Sequence, residues 1–213
     1  MDTATSIDGM AEAVTAAMPA LEPTDQEVAT AVYRLMSLGE PVEPAAVAKA
    51  VGVSVDQVNA RLDSWPGVFR DREGRLVGFW GHAIASLEPE YRLIADGTTT
   101  YAWCALDTLF IPGILGKTVR VEASDPVSGE PVSLVVDRDG AREVEPAGAL
   151  VSMVVPDGPF GYDVIEEFCH RVFFFASAET GAKWVARHEG AMLLSVEQAF
   201  EAGRALTERV VAR

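Results

Sequence analysis

The sequence predicts an α+β fold, in which a winged helix-turn-helix-like helical module is followed by a mixed, largely antiparallel sheet wrapped by helices. Helix-capping signals and helical spacing of apolar residues dominate the chain up to residue 64. Apolar and polar residues alternate within residues 119–136, which is typical of half-buried strands, and the run 150–155 is apolar enough for a central strand. We therefore expect an N-terminal arm or docking helix (residues 1–23), the helical module (24–81) and an α+β domain (82–213).

The helical module contains three successive helix-start signals. Thr24 is followed by Glu27 at the spacing of a capping box, which predicts the first helix. A second helix is expected to begin at Pro44 and to end at Gly52, since proline suits the first helical position and glycine suits the residue after the last. Ser54 is the predicted cap of the third helix.

The shape of this module invites a DNA-binding assignment, because two short helices and a hairpin at residues 68–80 resemble a winged helix-turn-helix. The helix in the recognition position, however, carries Arg61 against Asp56 and Asp63. The whole chain has 17 basic and 32 acidic residues, and a net charge of −15 repels phosphate backbones and anionic lipids. We therefore predict no nucleic-acid and no membrane partner. The alternative is a thiol-based, metal-responsive transcriptional regulator that binds DNA through the winged helix-turn-helix.

The rest of the chain supplies the sheet and its helices. Within residues 98–112 a helix of about two to three turns is predicted, with the threonines before Tyr101 as candidate caps and Pro112 as its end. Residues 116–155 are expected to form a β-meander. The C-terminal predictions are a short acidic helix at 162–168, a strand at 170–176, a helix at 177–188 and a last helix capped by Ser195.

The two cysteines, Cys104 and Cys169, are expected to be free thiols. The opening residues lack the basic and long apolar regions of a signal peptide, and no run is long and apolar enough to span a membrane. These features predict a cytoplasmic protein. Because the cytoplasm is reducing, two distant cysteines are not expected to be held as a structural disulfide.

Cys104 precedes Asp107 by three positions, which places a thiol and an acid on one face of the predicted helix. Near the first turn, the helix dipole favours the thiolate, which is the form that binds metals and attacks electrophiles. The alternative is that Cys104 is a small buried hydrophobic residue among Ala, Trp and Leu.

Several chemistries could use these residues. A structural zinc site would need four ligands, and the sequence offers Cys104 and Cys169 with His82, His170 and His188, none at a close zinc-binding spacing. A cysteine hydrolase would need a histidine base, for which His170 or His188 could serve. A third interpretation is that two thiolates bind a soft metal and that Asp107 delivers a proton to a carbon attached to it.

The sequence around these residues resembles the organomercurial lyases, also called alkylmercury lyases. The resemblance is carried by the motif at residues 101–109 (YAWCALDTL), by VEPAG at 144–148, by Phe168-Cys169 and by FFAS at 174–177. It covers residues 90–210 well and the helical module more loosely.

The resemblance implies protonolysis of a carbon–mercury bond, which releases a hydrocarbon and Hg(II) in mercury detoxification. It places the two catalytic, mercury-binding cysteines at Cys104 and Cys169 and the catalytic acid at Asp107, which would have a raised pKa among thiols in an apolar pocket. Trp103 matches the family's aromatic residue beside the nucleophile, and the two roles open to it are lining the site and packing in the core. Two sulfurs on one Hg(II) must lie within about 5 Å of each other, given that the shorter Zn–S bonds are roughly 2.3 Å.

The family resemblance also implies the partners. No cofactor is expected; the substrate is an organomercurial, Hg(II) is the bound product, and external thiols release it to cellular thiols or a mercuric reductase. Some family members carry further cysteines where this sequence has Asp125 and His170. The module at 24–81 is not used for DNA binding in that family.

Overall fold

The computed structural model describes residues 7–211. Its helices are α1 (Ile7–Ala17), α2 (Pro23–Met36), α3 (Pro44–Val51), α4 (Val55–Ser64), α5 (Ala105–Leu115), α6 (Val164–Glu167), α7 (Ala178–Val185) and α8 (Val196–Val210). Its strands are β1 (Val68–Arg70), β2 (Leu76–Phe79), β3 (His82–Ala83), β4 (Tyr91–Ala95), β5 (Thr98–Ala102), β6 (Val119–Ser124), β7 (Pro131–Val136), β8 (Ala141–Glu145), β9 (Leu150–Val154), β10 (Phe174–Phe175) and β11 (Ala191–Ser195).

The strands form two sheets. An eight-stranded sheet has the order β1-β2-β3-β5-β4-β6-β7-β8, and a three-stranded sheet has the order β10-β9-β11. Each pairing between these strands is antiparallel. The predicted α+β class, with its N-terminal helical module, is confirmed, although the expected mixture of strand directions is not seen among residues 7–211. In the same residues, no helix has the length and apolarity that a bilayer crossing requires.

The first helix of the helical module begins two residues earlier than the sequence predicted. Pro23 is the first helical residue of α2, and the Glu22 N–H donates to the Asp25 carboxylate at 3.0 Å. The predicted capping box of Thr24 and Glu27 is therefore wrong, because proline at the first helical position already sets the helical φ one residue upstream. The other two starts are confirmed: α3 begins at Pro44 and ends before Gly52, and Ser54 caps α4 in a capping box with Gln57.

The N-terminal helix α1 lies against α8 and buries Met10, Val14 and Ala17. The prediction of an arm or docking helix at 1–23 thus falls partly on this helix, while residues 1–6 lie outside the described residues. The division at 23/24 and 81/82 stays a prediction. The β1–β2 hairpin continues through β3 into the large sheet, so the module and the α+β domain share one sheet.

The predicted helix over residues 98–112 is wrong at both ends. Residues 98–102 form strand β5 and pair with β4, since β-branched threonines pack well on a pleated sheet. The helix α5 starts only at Ala105 and continues past Pro112 to Leu115. Nearly every side chain of α5 is buried, so packing on neighbours such as α8 outweighs the local cost of an internal proline.

The C-terminal region differs from the prediction in its strands. Residues 170–176 contain only the two-residue strand β10, because Cys169–Arg171 form a single turn of 3-10 helix. Strand β11 was not predicted, although it pairs with β9 along five residues. Strand β9 is central in the small sheet, as its apolar sequence predicted. The helices predicted at 162–168, 177–188 and after Ser195 are confirmed as α6, α7 and α8.

Asp125 connects the two sheets. It is 1% exposed, and its carboxylate accepts hydrogen bonds from the backbone N–H groups of Val127 and Ser128 in its own turn. It also accepts from the Ala176 N–H at 2.9 Å and from the Thr180 hydroxyl at 2.6 Å, at the start of α7. Burial opposes the charged form, but these hydrogen bonds outweigh it and lower the pKa of Asp125.

Replacing Asp125 by alanine should lower the free energy of unfolding by about 2–3 kcal/mol, because it leaves several buried donors without a partner. Urea denaturation at pH 7 measures this loss. The matched control is Asp139→Ala, whose side chain is exposed and should change stability little. Since the folded-state pKa of Asp125 is depressed, its contribution is present above the ordinary value of 3.8 and should be lost as the pH falls through the folded-state pKa. Equal stability of the two variants would contradict the role of Asp125 in connecting the two sheets.

Candidate active site

Cys104 lies in the junction between β5 and α5. Its backbone is extended, with φ −151° and ψ 175°, so it is the N-cap of α5 rather than a residue within it. Asp107, at the third helical position, accepts the Cys104 N–H at 2.9 Å. The expectation that both side chains share a helix face is therefore corrected: they are neighbours through a helix cap, which holds the carboxylate beside the thiol.

Cys169 reaches the same place from the 3-10 turn after α6. Ser152 of β9 is fully buried and holds this turn in place. Its hydroxyl donates to the Arg171 carbonyl at 2.9 Å and accepts the Phe173 N–H at 2.9 Å. The Ala105 N–H donates to the Val172 carbonyl at 3.1 Å and so joins the turn to the start of α5. Sequence reasoning missed Ser152, because a lone serine in an apolar strand carries no local signal of a distant partner.

These contacts bring together three side chains that are far apart in sequence. The sulfurs of Cys104 and Cys169 and a carboxylate oxygen of Asp107 all lie within 4.8 Å of one another, and all three residues are buried. Both cysteines are free thiols. Among the residues that the structure describes, this is the one group of three or more cysteine, histidine and carboxylate side chains arranged to share an ion.

A small apolar cavity of about 40 Å³ is lined by two of the three side chains, Asp107 and Cys169. Asp107 and Cys169 contribute the polar part of its wall, and the remainder is mostly aromatic and aliphatic. Trp103 lies in this wall, and its ring also packs edge-on against Phe69 with centroids 5.3 Å apart. The helix α1 contributes Val14 to the wall. The arrangement can hold an apolar group next to two thiols and an acid.

Two family models match the chain. The model for alkylmercury lyase matches residues 85–208, and the model for the helix-turn-helix domain of alkylmercury lyase matches residues 18–80. The chain belongs to the alkylmercury lyase family. Curated alkylmercury lyases agree: that of Bacillus cereus is 37% identical over 178 residues, covering 84% of this chain and 79% of the relative. That of Streptomyces lividans is 36% identical over 180 residues, covering 84% and 81%.

The fold also matches that of a solved structure. The crystal structure of the mercury-bound form of MerB2 superimposes with a TM-score of 0.73, at 21% identity, over 97% of this chain and 99% of that chain. The match includes the helix-turn-helix module as well as the α+β domain. It therefore confirms the architecture of this alkylmercury lyase family member.

Burial controls the protonation of the three residues. It raises the pKa of Cys104 well above its usual value, and a hydrogen bond with Cys169 and the charge of Asp107 add to this. The prediction that the helix terminus would favour the Cys104 thiolate is therefore wrong for the free protein, because desolvation in the apolar interior dominates. For Cys169, a hydrogen bond from Cys104 favours the thiolate, but burial and the charge of Asp107 leave its pKa raised.

The pKa of Asp107 is raised by burial from the ordinary value of 3.8 to about 7, although hydrogen bonds from Cys104 lower it in part. This agrees with the predicted direction. A carboxyl group with such a pKa can both accept and donate a proton near neutral pH. Tyr91, which sequence reasoning did not single out, is buried, and its hydroxyl donates to the Val172 carbonyl at 3.4 Å. Burial first, and then the charge of Cys104, raise the pKa of Tyr91 well above its usual value.

The histidines do not complete a zinc site or a hydrolase dyad. His82 is buried and contacts the Thr100 hydroxyl at 2.8 Å. His170 contacts Glu166 at 3.1 Å, and His188 stacks on Trp184 with centroids 3.7 Å apart. None of the three belongs to the cluster of the two cysteines and Asp107. The two thiols and one carboxyl are therefore the donor set that this alkylmercury lyase family member offers.

Proposed function

We propose that this chain cleaves the carbon–mercury bond of organomercurials by protonolysis, with Cys104 and Cys169 as the mercury-binding nucleophiles and Asp107 as the proton shuttle. The observation that carries the proposal is the approach of the two sulfurs and the carboxylate to within 4.8 Å beside an apolar cavity. Thiolates are the preferred ligands of soft metals, whereas the organic group needs an apolar environment.

The two thiols supply the two protons that the reaction needs: one ends on the carbon and the other leaves with X⁻. One thiol binds R–Hg–X and transfers its proton to the Asp107 carboxylate, while X⁻ leaves mercury. The second thiol binds mercury as its own proton leaves with X⁻ as HX. Asp107 then protonates the carbon as the carbon–mercury bond breaks, so the products are R–H and Hg(II) held by two thiolates.

The raised pKa of Asp107 suits this role. A carboxyl group with its ordinary pKa of 3.8 would hold a proton only weakly at neutral pH, whereas a pKa of about 7 allows the group to take a proton from a thiol and return it to carbon. The thiols stay protonated in the free protein because burial raises their pKa values. Binding of mercury supplies the free energy that removes those protons.

External thiols are proposed to release the product, since Hg(II) bound by two thiolates leaves only when other thiols replace them. Cellular thiols or a mercuric reductase would accept it, and no resident cofactor is required by this sequence of steps. We also propose a cytoplasmic location, because both thiols must remain reduced to bind mercury.

The test is to incubate the purified protein with phenylmercury and excess thiol and to measure benzene by gas chromatography. We expect the protein to release more moles of benzene than the moles of protein present. The matched control is Cys169→Ser, which keeps the size of the side chain but removes the second sulfur, and which should not sustain benzene release. Absence of benzene from the wild-type protein would overturn the proposal.

The regulator alternative is not favoured. Three arginines of the helical module form ion pairs within the module: Arg61 with Asp25 at 2.7 Å, Arg70 with Asp63 at 3.1 Å and Arg75 with Asp71 at 2.7 Å. Together with the net charge of −15, this leaves little positive charge for a phosphate backbone. A mobility-shift assay with and without Hg(II) is expected to show no DNA complex.

A further inference from the structure

We propose that the helix-turn-helix module positions the proton-delivering carboxyl group, through Tyr33 of α2 and the tight turn at Trp80 and Gly81. This inference rests on the proposed function, because it assigns Asp107 the proton delivery described above. In this proposal Tyr33 is a positioning residue and touches neither the substrate nor the reacting atoms.

The turn lies directly against Asp107. Gly81 has φ +88°, and a Cβ atom built on it would lie 2.3 Å from Asp107 Oδ1 and 2.4 Å from its carboxyl carbon. Real Cβ atoms do not approach other atoms so closely, so the backbone of Gly81 forms part of the wall that limits where the carboxyl group can lie. The Gly81 carbonyl also accepts the Trp103 N–H at 2.9 Å, one residue before Cys104.

The backbone before Gly81 is in a conformation that needs support. Trp80 has φ +38°, in the left-handed region that bulky side chains rarely adopt. Such residues persist when their surroundings hold them in place. The Trp80 N–H donates to the Gly67 carbonyl at 3.0 Å, and its indole N–H donates to the Pro66 carbonyl at 2.8 Å.

Tyr33 supplies the support from the helical module. Its hydroxyl donates to the Trp80 carbonyl at 2.6 Å, in a fully buried setting. Its ring packs edge-on against Phe79 with centroids 5.2 Å apart and stacks with His82 at 6.0 Å. Tyr33 therefore contacts the residues on both sides of the turn as well as the turn itself.

The charge of Asp107 also acts on the Tyr33 phenol. Burial first, and then the charge of Asp107, raise the pKa of Tyr33 well above its usual value. The hydroxyl thus remains a donor across the whole working pH range, and the contact with Trp80 does not switch. The module lacks a basic DNA-reading surface, and this contact offers a physical reason for its place in the enzyme.

The test compares Tyr33→Phe with the wild-type protein in steady-state and single-turnover reactions. The variant keeps the ring but loses the hydrogen bond to Trp80. We expect kcat for hydrocarbon release to fall roughly 10-fold, since displacements of about 1 Å at a reacting group can cost up to about 100-fold. KM and the ultraviolet absorbance of the mercury–thiolate bonds should stay at wild-type values, because the two sulfurs are not moved.

A second variant, Gly81→Ala, changes the turn where it lies against the carboxyl group, and a fall in kcat of roughly 100-fold is expected from the clash with Asp107. The control is Val58→Ala, which removes buried methyl groups from α4, a different helix of the module from the one that carries Tyr33. It should lower stability but keep kcat. Wild-type kcat in Tyr33→Phe, or an equal fall of kcat in Val58→Ala, would overturn the positioning role.

A crystal structure of Tyr33→Phe separates this inference from the proposed function. We expect the Trp80–Gly81 turn to relax and the Asp107 carboxyl group to move away from the two sulfurs. An unchanged turn would overturn the inference even if the protein is an active lyase. Wild-type protein that releases no hydrocarbon would instead overturn the proposed function, with the displaced turn still supporting the contact.

Discussion

Replacing Asp107 by asparagine should lower the rate of hydrocarbon release by about 10²- to 10⁴-fold, the usual loss when a general acid is removed. Asparagine has nearly the same shape and can still accept the Cys104 N–H, so the cap of α5 should survive. The variant cannot, however, take a proton from a thiol and return it to carbon. Rapid-mixing measurements of benzene release from phenylmercury give the rate.

Binding must be measured beside turnover in the same variant. Asp107→Asn should still bind phenylmercury through its thiols, as shown by loss of thiol titre and by a mass increase of the intact protein. Asp157→Asn is the matched control, because this exposed aspartate lies outside the cavity and should leave both measurements unchanged. Full turnover by Asp107→Asn would remove the carboxyl group from the mechanism.

The same substitution should make the protein more stable at pH 8, by up to about 4 kcal/mol in the free energy of unfolding. This gain arises because the pKa of Asp107 is about 7 in the folded protein against an ordinary value of 3.8, and each unit of difference corresponds to about 1.4 kcal/mol. A catalytic group held in an unfavourable environment commonly lowers stability in this way.

The sign of the change in stability with pH depends on whether the folded or the unfolded state binds the Asp107 proton more tightly. Between pH 3.8 and 7 the folded protein keeps the proton on Asp107 while the unfolded chain has lost it, so stability falls as the pH rises through this window. Below the window both states are protonated and the contribution is fully present; above it the loss is complete. Asparagine does not titrate, so the advantage of the variant should be small at pH 4 and largest at pH 8.

Urea denaturation at pH 4, 6 and 8 measures this difference between wild type and Asp107→Asn. Asp139→Asn serves as the control, because its side chain is 88% exposed and its substitution should produce no comparable trend. A constant difference across the three pH values would show that Asp107 titrates normally in the folded protein. That result would also remove the electrostatic support for its part in proton transfer.

Much of the outline of this protein could be predicted from local sequence. Gly52 follows the last residue of α3 and Ser54 caps the start of α4, as predicted, because caps depend on residues within one turn. The alternation within β6 and β7 predicted their buried faces correctly. The segment 98–102 was mispredicted, since threonines serve as caps and as strand residues, and pairing with β4 decides between the two.

The sequence by itself determined the reactive groups of this protein: two thiols, one nearby acid and the spacing that lets the Cys104 N–H bond to Asp107. Only the tertiary structure decided that Cys169 meets them, because that contact depends on the packing of the 3-10 turn against α5. It also decided the protonation states, since desolvation depends on the whole surrounding core and outweighs the local effect of a helix terminus. The contact of Tyr33 with the turn beside Asp107 likewise joins segments that no local pattern relates.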